Sequence, residues 1–345
     1  MRHSRNAVFS LLLLLAVSGC ARSDATTAVS ASSGSDGQPA LAKVTLQLNW
    51  FPEVEHGGYY AALVHGYYRE AGLDVTILPG GPDTPVLQQV ARKRVTFGVI
   101  NADNVLFGRA QQVPAVALMA PLQNSPRCLI VHESSGIRSF EELKDLTIAM
   151  SPSAAFAQFM RSKLPLTAVK VVPYSGSVAP FLLDPRYAQQ GYVFSEPFIA
   201  KKQGGDPHVL MVSQLGFNPY TSLLFTHDDR VREEADLVGR MVAASIRGWG
   251  KYIDAPDETN AYIHKINPEM DLDILAYGAK AIVPLVLDST SEREGIGTMS
   301  RDRWQTLADQ LVDSGQLKGE QAFVDEAFTT RFLEPPPNPS GKQAP

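Results

Sequence analysis

Apolar and polar positions along this chain repeat in two periods, one of two residues and one near 3.6, and the switches between them set out the elements. Residues 44–48, 73–78, 95–100, 114–122, 128–132, 146–150, 169–174, 192–195 and 209–212 read as strands. Between most of them lie helical stretches. Gly58 to Glu70 places Tyr60, Val64 and Tyr67 on related faces, and Asp83 reads as the N-cap of a helix with Pro85 in its first turn, running to about Lys93. Ala102 to Gln111 is helical, and Ser139 with Glu142 forms a capping box before a short helix. From Arg230 onward the pattern is mostly helical. Strands alternating with helices predict α/β architecture with largely parallel sheets. Such sheets bind ligands in the crevice at the carboxyl ends of their strands. That rule points to residues 49–56, 80–83, 101–104, 123–125, 151–154, 174–177 and 196–198.

The two ends break the alternation. Arg2, His3 and Arg5 precede the apolar run Leu11–Leu15, and small residues lead to Cys20, the anatomy of a secretory signal. The apolar core is shorter than the roughly 20 residues of a spanning helix. Val17-Ser18-Gly19-Cys20 resembles a bacterial lipobox. That resemblance implies cleavage before Cys20, lipidation of its thiol, and a periplasmic or cell-surface protein held to a membrane by acyl chains. Residues 1–19 are therefore expected to be the signal peptide. Residues 20–43, rich in Ala, Ser, Thr, Gly and Asp, are expected to be the lipidated cysteine and a flexible tether, and residues 333–345 a disordered tail.

Composition adds limits. The 345 residues, 44% hydrophobic and 19% charged, suit a two-lobed body with a sizeable core. The net charge of -5, with no cluster of Lys and Arg, argues against a nucleic-acid partner. Cys20 and Cys128 are the whole cysteine supply, so lipidation of the first leaves the second without an intrachain partner. The apolar neighbours Leu129, Ile130 and Val131 make Cys128 a buried strand cysteine.

The segment Asn49-Trp50-Phe51-Pro52-Glu53-Val54-Glu55-His56-Gly57-Gly58-Tyr59-Tyr60 sets aromatics, carboxylates and a histidine directly after a strand, and its glycine pair is expected to bring the backbone close to a ligand. With Gly66-Tyr67-Tyr68-Arg69-Glu70-Ala71-Gly72-Leu73-Asp74-Val75, Phe97-Gly98-Val99 with Asn101, Gly136-Ile137 and Ser195-Glu196-Pro197-Phe198, it resembles the SsuA/THI5-like family of solute-binding proteins. The resemblance implies a type II periplasmic-binding-protein fold, two α/β lobes joined by two hinge strands. Residues 44–129 plus 225–332 would form the first lobe and 130–224 the second. It also implies a monomer that closes on a small molecule and hands it to an ABC permease in the inner membrane.

Among the loops so marked, Trp50, His56, Tyr59, Asp83, Asn101, Ser151, Tyr174 and Glu196 are the candidate ligand-binding residues. Trp50 and Tyr59 offer flat faces for a ring. Glu53, Glu55, Asp83, Asp103 and Glu196 are acceptors when ionised, whereas Arg127 is the one basic residue near these loops. A neutral or cationic nitrogen heterocycle fits better than a sulfonate or nitrate. The pyrimidine-precursor branch of the family has a similar opening, which implies a formylaminopyrimidine or hydroxymethylpyrimidine ligand, with a flavin as nearest competitor. Related enzymes that make the thiamine pyrimidine share the opening motif. They use a cysteine-dense iron-binding run and a pyridoxal lysine near the histidine, and this chain has neither such a run nor any lysine between Val44 and Arg92. No histidine pair has metal-ligand spacing, no Gly-x-Ser-x-Gly elbow occurs, and Gly80-Gly81-Pro82 is no phosphate loop. A binding protein with no cofactor, no metal and no catalytic residue is the expectation; a receptor feeding a sensor would look the same in sequence.

Overall fold

The computed structural model describes residues 40–319 and 323–333. The expected signal peptide, Cys20, nearly all of the tether and residues 334–345 lie outside the described residues. Two five-stranded sheets organise the body. The first is built from β1 (Ala42–Gln47), β2 (Leu73–Leu78), β3 (Phe97–Ile100), β4 (Ala115–Met119) and β10 (Leu223–His227), in the order β2-β1-β3-β10-β4. The second contains β5 (Arg127–His132), β6 (Thr147–Ala149), β7 (Lys170–Val172), β8 (Tyr187–Tyr192) and β9 (Pro207–Met211), in the order β7-β6-β8-β5-β9. The inner strands β3 and β10 and the edge strand β4 are buried at every residue, whereas the other edge strand, β2, alternates, exposing Asp74 and Thr76.

The sheets share one plan. β1 is parallel to β2 and β3, and β6 to β7 and β8. The chain crosses between sheets through residues 120–126 and 212–222, and the strand after each crossing runs antiparallel: β5 against β8 and β9, β10 against β3 and β4. A strand that enters from the side where its parallel neighbours end must run against them. The sheets are thus less uniformly parallel than the alternation of elements implies. Strand β5 belongs wholly to the second sheet, so the first crossing comes earlier than the expected break after residue 129. The crossings lie side by side, bridged at Leu122 and Thr221. Asn218 accepts from the Ser125 N–H at 2.7 Å, and Arg303 donates to the Asn218 and Gln123 carbonyls while lying over the Tyr220 ring.

Other departures have local causes. The helix expected over Gly58 to Glu70 is broken at Gly66, which takes φ 76°, giving Gly57–Val64 and Tyr67–Glu70. Asp83 does not cap a helix: the helix is Val86–Ala91, preceded by Pro85, and Asp83 stands exposed. The Ser139/Glu142 capping box holds one 3-10 turn, Phe140–Glu142. Of the strand expected at 192–195 only Tyr192 lies in β8, and Leu223–His227, whose apolar Leu223, Leu224 and Phe225 precede Thr226 and His227, forms the additional strand β10. Cys128 is buried and free in β5.

The lobes are in contact. Phe194, just past β8, is 1% exposed and belongs to the apolar core of the first lobe. Phe198 stacks on Tyr277 with centroids 4.7 Å apart, and Lys202 pairs with Asp271 at 3.0 Å and Asp273 at 2.8 Å. These contacts join the helix Glu196–Lys202 to the helix Leu272–Val286, which packs on the first lobe.

The glycine pair of the opening segment serves a helix and not a ligand. A Cβ at Gly57 would stand 2.1 Å from Tyr252, one at Gly58 2.1 Å from Trp249, and one at Gly248 2.2 Å from the Gly58 carbonyl. The helices Gly57–Val64 and Ala235–Asp254 therefore touch backbone to side chain. Gly58→Ala is expected to destabilise the protein by about 1–3 kcal/mol through overpacking. Gly250→Ala, in the same long helix with open space around it, should stabilise by about 0.5–1 kcal/mol. Denaturant unfolding of both variants checks the pair.

Candidate functional site

The carboxyl ends of β1 and β3 face those of β6 and β8 across the crossings, and the residues there fall into two layers. The deeper layer is a hydrogen-bonded knot inside the first lobe. Asn49 Nδ2 donates to Glu55 Oε1 at 3.1 Å, and His56 Nε2 lies 3.0 Å from both Asn49 Oδ1 and Glu55 Oε1. Ser222 Oγ donates to Glu55 Oε2 at 3.2 Å, Tyr59 OH donates to the Ser222 carbonyl at 3.0 Å, and the Ser222 N–H donates to Asn101 Oδ1 at 3.1 Å. His56 and Tyr59 are each 0% exposed, with Tyr59 edge-on to Trp249. As expected ligand contacts they are corrected: they present no surface to a cleft. The segment folds inward because its turn, Val54–His56, packs beneath the helix Leu272–Val286, where Gly278 meets Val54.

The outer layer lines the cleft. Glu196 opens the helix Glu196–Lys202, accepting from Tyr174 OH at 2.8 Å and from the Tyr192 N–H at 2.7 Å. Gly191 leaves room for it, since a Cβ there would meet the Glu196 side chain at 3.0 Å. The Arg127 guanidinium lies 4.2 Å from the Tyr192 ring centroid and 5.0 Å from that of Phe156. Half-buried Asn101 sits beside the Tyr192 phenol. From the first lobe, Glu53 approaches closely enough for its charge to act on Glu196 and Arg127. Trp50 is half-buried and edge-on to Phe51, whose half-exposed ring rests by Gly81.

Electrostatics tie the layers together. Burial raises the Glu53 pKa well above the usual carboxylate range; Glu55 and Glu196 push the same way, and Arg127 offsets part of it. Burial also raises Asp103, against the pull of Asn104 and Arg127. The Tyr174 phenol is raised by burial and by the Glu196 carboxylate it donates to.

Of the expected residues, Tyr174, Asn101 and Glu196 are brought together around Arg127, while the Trp50 ring packs edge-on against Phe51. Asp83 and Ser151 are exposed, and Ser151 uses its N–H on Gln190 Oε1 at 2.8 Å instead of capping the helix Ala155–Lys163. Arg127, Tyr192 and Phe156 were not among the candidates. The rule of strand carboxyl ends passes over Arg127 because β5 starts at the cleft. A cavity of about 500 Å³ on the second lobe, lined by Pro152, Arg161, Leu164 and Val171 among others, shares none of these cleft residues. His227, Asp228 and Asp229 bring possible metal-ligand atoms within 4.8 Å of one another. Lys93 at 2.6 Å from Asp229 and Arg109 at 3.5 Å from Asp228 already neutralise that group.

Comparison with known proteins agrees with this architecture. The chain is 24% identical to the riboflavin-binding protein RibY of Chloroflexus aurantiacus, covering 96% of this chain and 99% of that one. It is 21% identical to the formylaminopyrimidine-binding protein of Halalkalibacterium halodurans, over 84% of this chain and 91% of the relative. The periplasmic aliphatic sulphonate binding protein SsuA from Escherichia coli superposes with a TM-score of 0.62 at 13% identity, covering 89% of this chain and 96% of that one. The sequence profile of the NMT1/THI5 like family matches residues 53–259, more than half of the length, and the chain belongs to that family.

Proposed function

We propose that this protein is a solute-binding protein of the ABC-import type that captures a nitrogen heterocycle bearing a pyrimidine ring in the cleft between its lobes. The observation that carries this reading is the Glu196 carboxylate, held by Tyr174 and the Tyr192 N–H beside the ring-sandwiched Arg127, with Glu53 and Asp103 near. Each carboxylate oxygen has lone pairs left to accept from an amino-substituted ring. Acids outnumber the single guanidinium, which disfavours a sulfonate. A thiamine pyrimidine precursor, of the formylaminopyrimidine or hydroxymethylpyrimidine kind, is the first reading. Riboflavin, whose ring system ends in a pyrimidine, is the second, favoured by the nearly full-length similarity to RibY.

Closure on the solute is a population shift driven by contacts made to both lobes. Delivery would be to an ABC permease from outside the cytoplasm, as the periplasmic SsuA neighbour suggests. The lipid anchor at Cys20 is part of the proposal, and Cys20→Ser should abolish acylation, read by mass spectrometry of the mature protein. The opening motif serves binding here: His56 is walled in by Asn49 and Glu55 and offers no accessible nitrogen for chemistry.

Native mass spectrometry of unfolded and refolded protein against riboflavin, 4-amino-5-hydroxymethyl-2-methylpyrimidine and an alkanesulfonate should give a 1:1 complex with a heterocycle. Binding of the sulfonate alone would overturn the ligand class. Glu196→Gln is expected to weaken heterocycle binding by about tenfold or more, the scale of a hydrogen bond to a charged group. Its unliganded melting temperature should drop only slightly, because the amide oxygen still accepts one of the two internal bonds. A large loss of stability without loss of affinity would make Glu196 part of the scaffold.

A further inference from the structure

Glu53 differs from the other cleft acids in what holds it. Glu55 accepts from Asn49 and Ser222, and Glu196 from Tyr174 and the Tyr192 N–H. The Glu53 carboxyl has no hydrogen-bond partner among the described residues, although the residue is only 7% exposed. Buried polar groups are almost always paired, and the Glu53 oxygens, unlike the fully enclosed Nδ1 of His56, keep enough exposure to take a partner from outside the chain. Its position is not loose. The Glu53 carbonyl accepts from the His56 N–H at 3.0 Å, and the neighbouring Pro52 carbonyl accepts from Asn267 at 2.9 Å, so the backbone is pinned on both sides.

Resting on the binding reading above, we propose that Glu53 is the ligand-reading acid of the first lobe, donating its carboxyl proton to an acceptor of the bound heterocycle, a ring nitrogen or carbonyl oxygen. Glu196 on the second lobe takes the complementary part and accepts from an amino or hydroxyl group. One ligand thereby bonds both lobes, which is the differential contact that closure requires.

The surroundings keep the proton on Glu53. Glu55 and His56 share its turn, and the His56 Nε2 is committed to Asn49 and Glu55. Glu196 lies within electrostatic reach of it, and Arg127 is the opposing cation. Tyr174, Tyr192 and Tyr252 also lie within electrostatic reach of the Glu53 carboxyl. From the helix packed on the turn, Gly278 faces Val54, and Tyr277 points its hydroxyl to the Val193 carbonyl. Burial and two like charges outweigh one guanidinium, and the carboxyl titrates well above its ordinary range.

The test is calorimetric titration of the purified full chain with riboflavin and with 4-amino-5-hydroxymethyl-2-methylpyrimidine from about pH 5 to about pH 9, for wild type, Glu53→Gln and Glu53→Ala. Wild-type affinity should fall as pH rises through the raised pKa. The Gln variant keeps an N–H donor and should bind within about threefold of wild type at low pH without that fall, while the Ala variant should lose about tenfold. Unchanged affinity in the Ala variant, or the same pH dependence in the Gln variant, overturns the role of Glu53 and leaves the binding reading intact. Failure of the wild type to bind either heterocycle overturns both.

Thermal unfolding without ligand gives a second readout. Because folding raises the Glu53 pKa, its contribution is fully present below the unfolded carboxylate pKa of about 4.3 and is lost as pH climbs toward the folded value. The Gln variant should therefore melt progressively higher than wild type as pH rises. A gap that does not change with pH overturns the buried-acid assignment.

Discussion

Ser222 is the residue on which the cleft depends. Its N–H, carbonyl and hydroxyl bond respectively to Asn101, Tyr59 and Glu55, all from the first lobe, while its neighbour Thr221 is bridged to Leu122 in the other crossing. The price of that convergence is backbone strain, because Ser222 takes φ 52°, left-handed for a residue with a Cβ. Such a conformation persists only where surrounding bonds overdetermine it. The opening loop and the second crossing are thereby one mechanical unit. The residues 49–56 segment cannot shift without disturbing the crossing, and a rotation at the crossing reaches Glu55 directly.

The acids of the cleft are tolerable because each is handled differently. Glu55 is fully buried yet paired with donors; Glu196 is partly exposed and paired; Glu53 is nearly buried and unpaired. Removing a carboxylate from water without donors is expensive, and the group then keeps its proton instead of its charge. Arg127 moderates the whole set. Its guanidinium is fixed between the Tyr192 and Phe156 rings, so it acts as an immobile charge and not a roaming one. On the proposed reading these groups would supply acceptors, a proton donor and flat surfaces to a polar aromatic ring.

Much of this was legible in the sequence, and the failures have physical reasons. Alternating elements carried the α/β class, and the opening motif carried the two-lobed fold. The crevice rule marked Asn101, Tyr174 and Glu196, which the structure gathers around Arg127, because β3, β7 and β8 end there. It missed Arg127 because an antiparallel strand presents its beginning there, and strand direction is set by the partner across the sheet and not by local pattern. His56 and Tyr59 were misjudged for a related reason. Position after a strand says that a segment lies near the crevice, but which side chains turn inward depends on Trp249 and Tyr252, almost two hundred residues away in the chain, and on Ser222. Gly57 and Gly58 likewise read as room for a ligand when the neighbour needing room is a helix.

The helix Glu196–Lys202 links recognition to closure. Its first residue is the cleft carboxylate, Phe198 stacks on Tyr277, and its last residue pairs with Asp271 and Asp273. Phe194, two positions ahead of its first residue, is buried in the other lobe's core. Exposed ion pairs such as those of Lys202 are screened by solvent and contribute little, so the aromatic contacts dominate the part of closure that the protein supplies by itself. Burying a phenylalanine side chain is worth about 1.5–3 kcal/mol, enough to move a two-state equilibrium by one to two orders of magnitude. Apparent affinity scales with the fraction of molecules able to hold the ligand. On the proposed function, affinity would therefore depend on Phe194, buried in the first lobe's core, and on the Phe198–Tyr277 stack as well as on the cleft carboxylates.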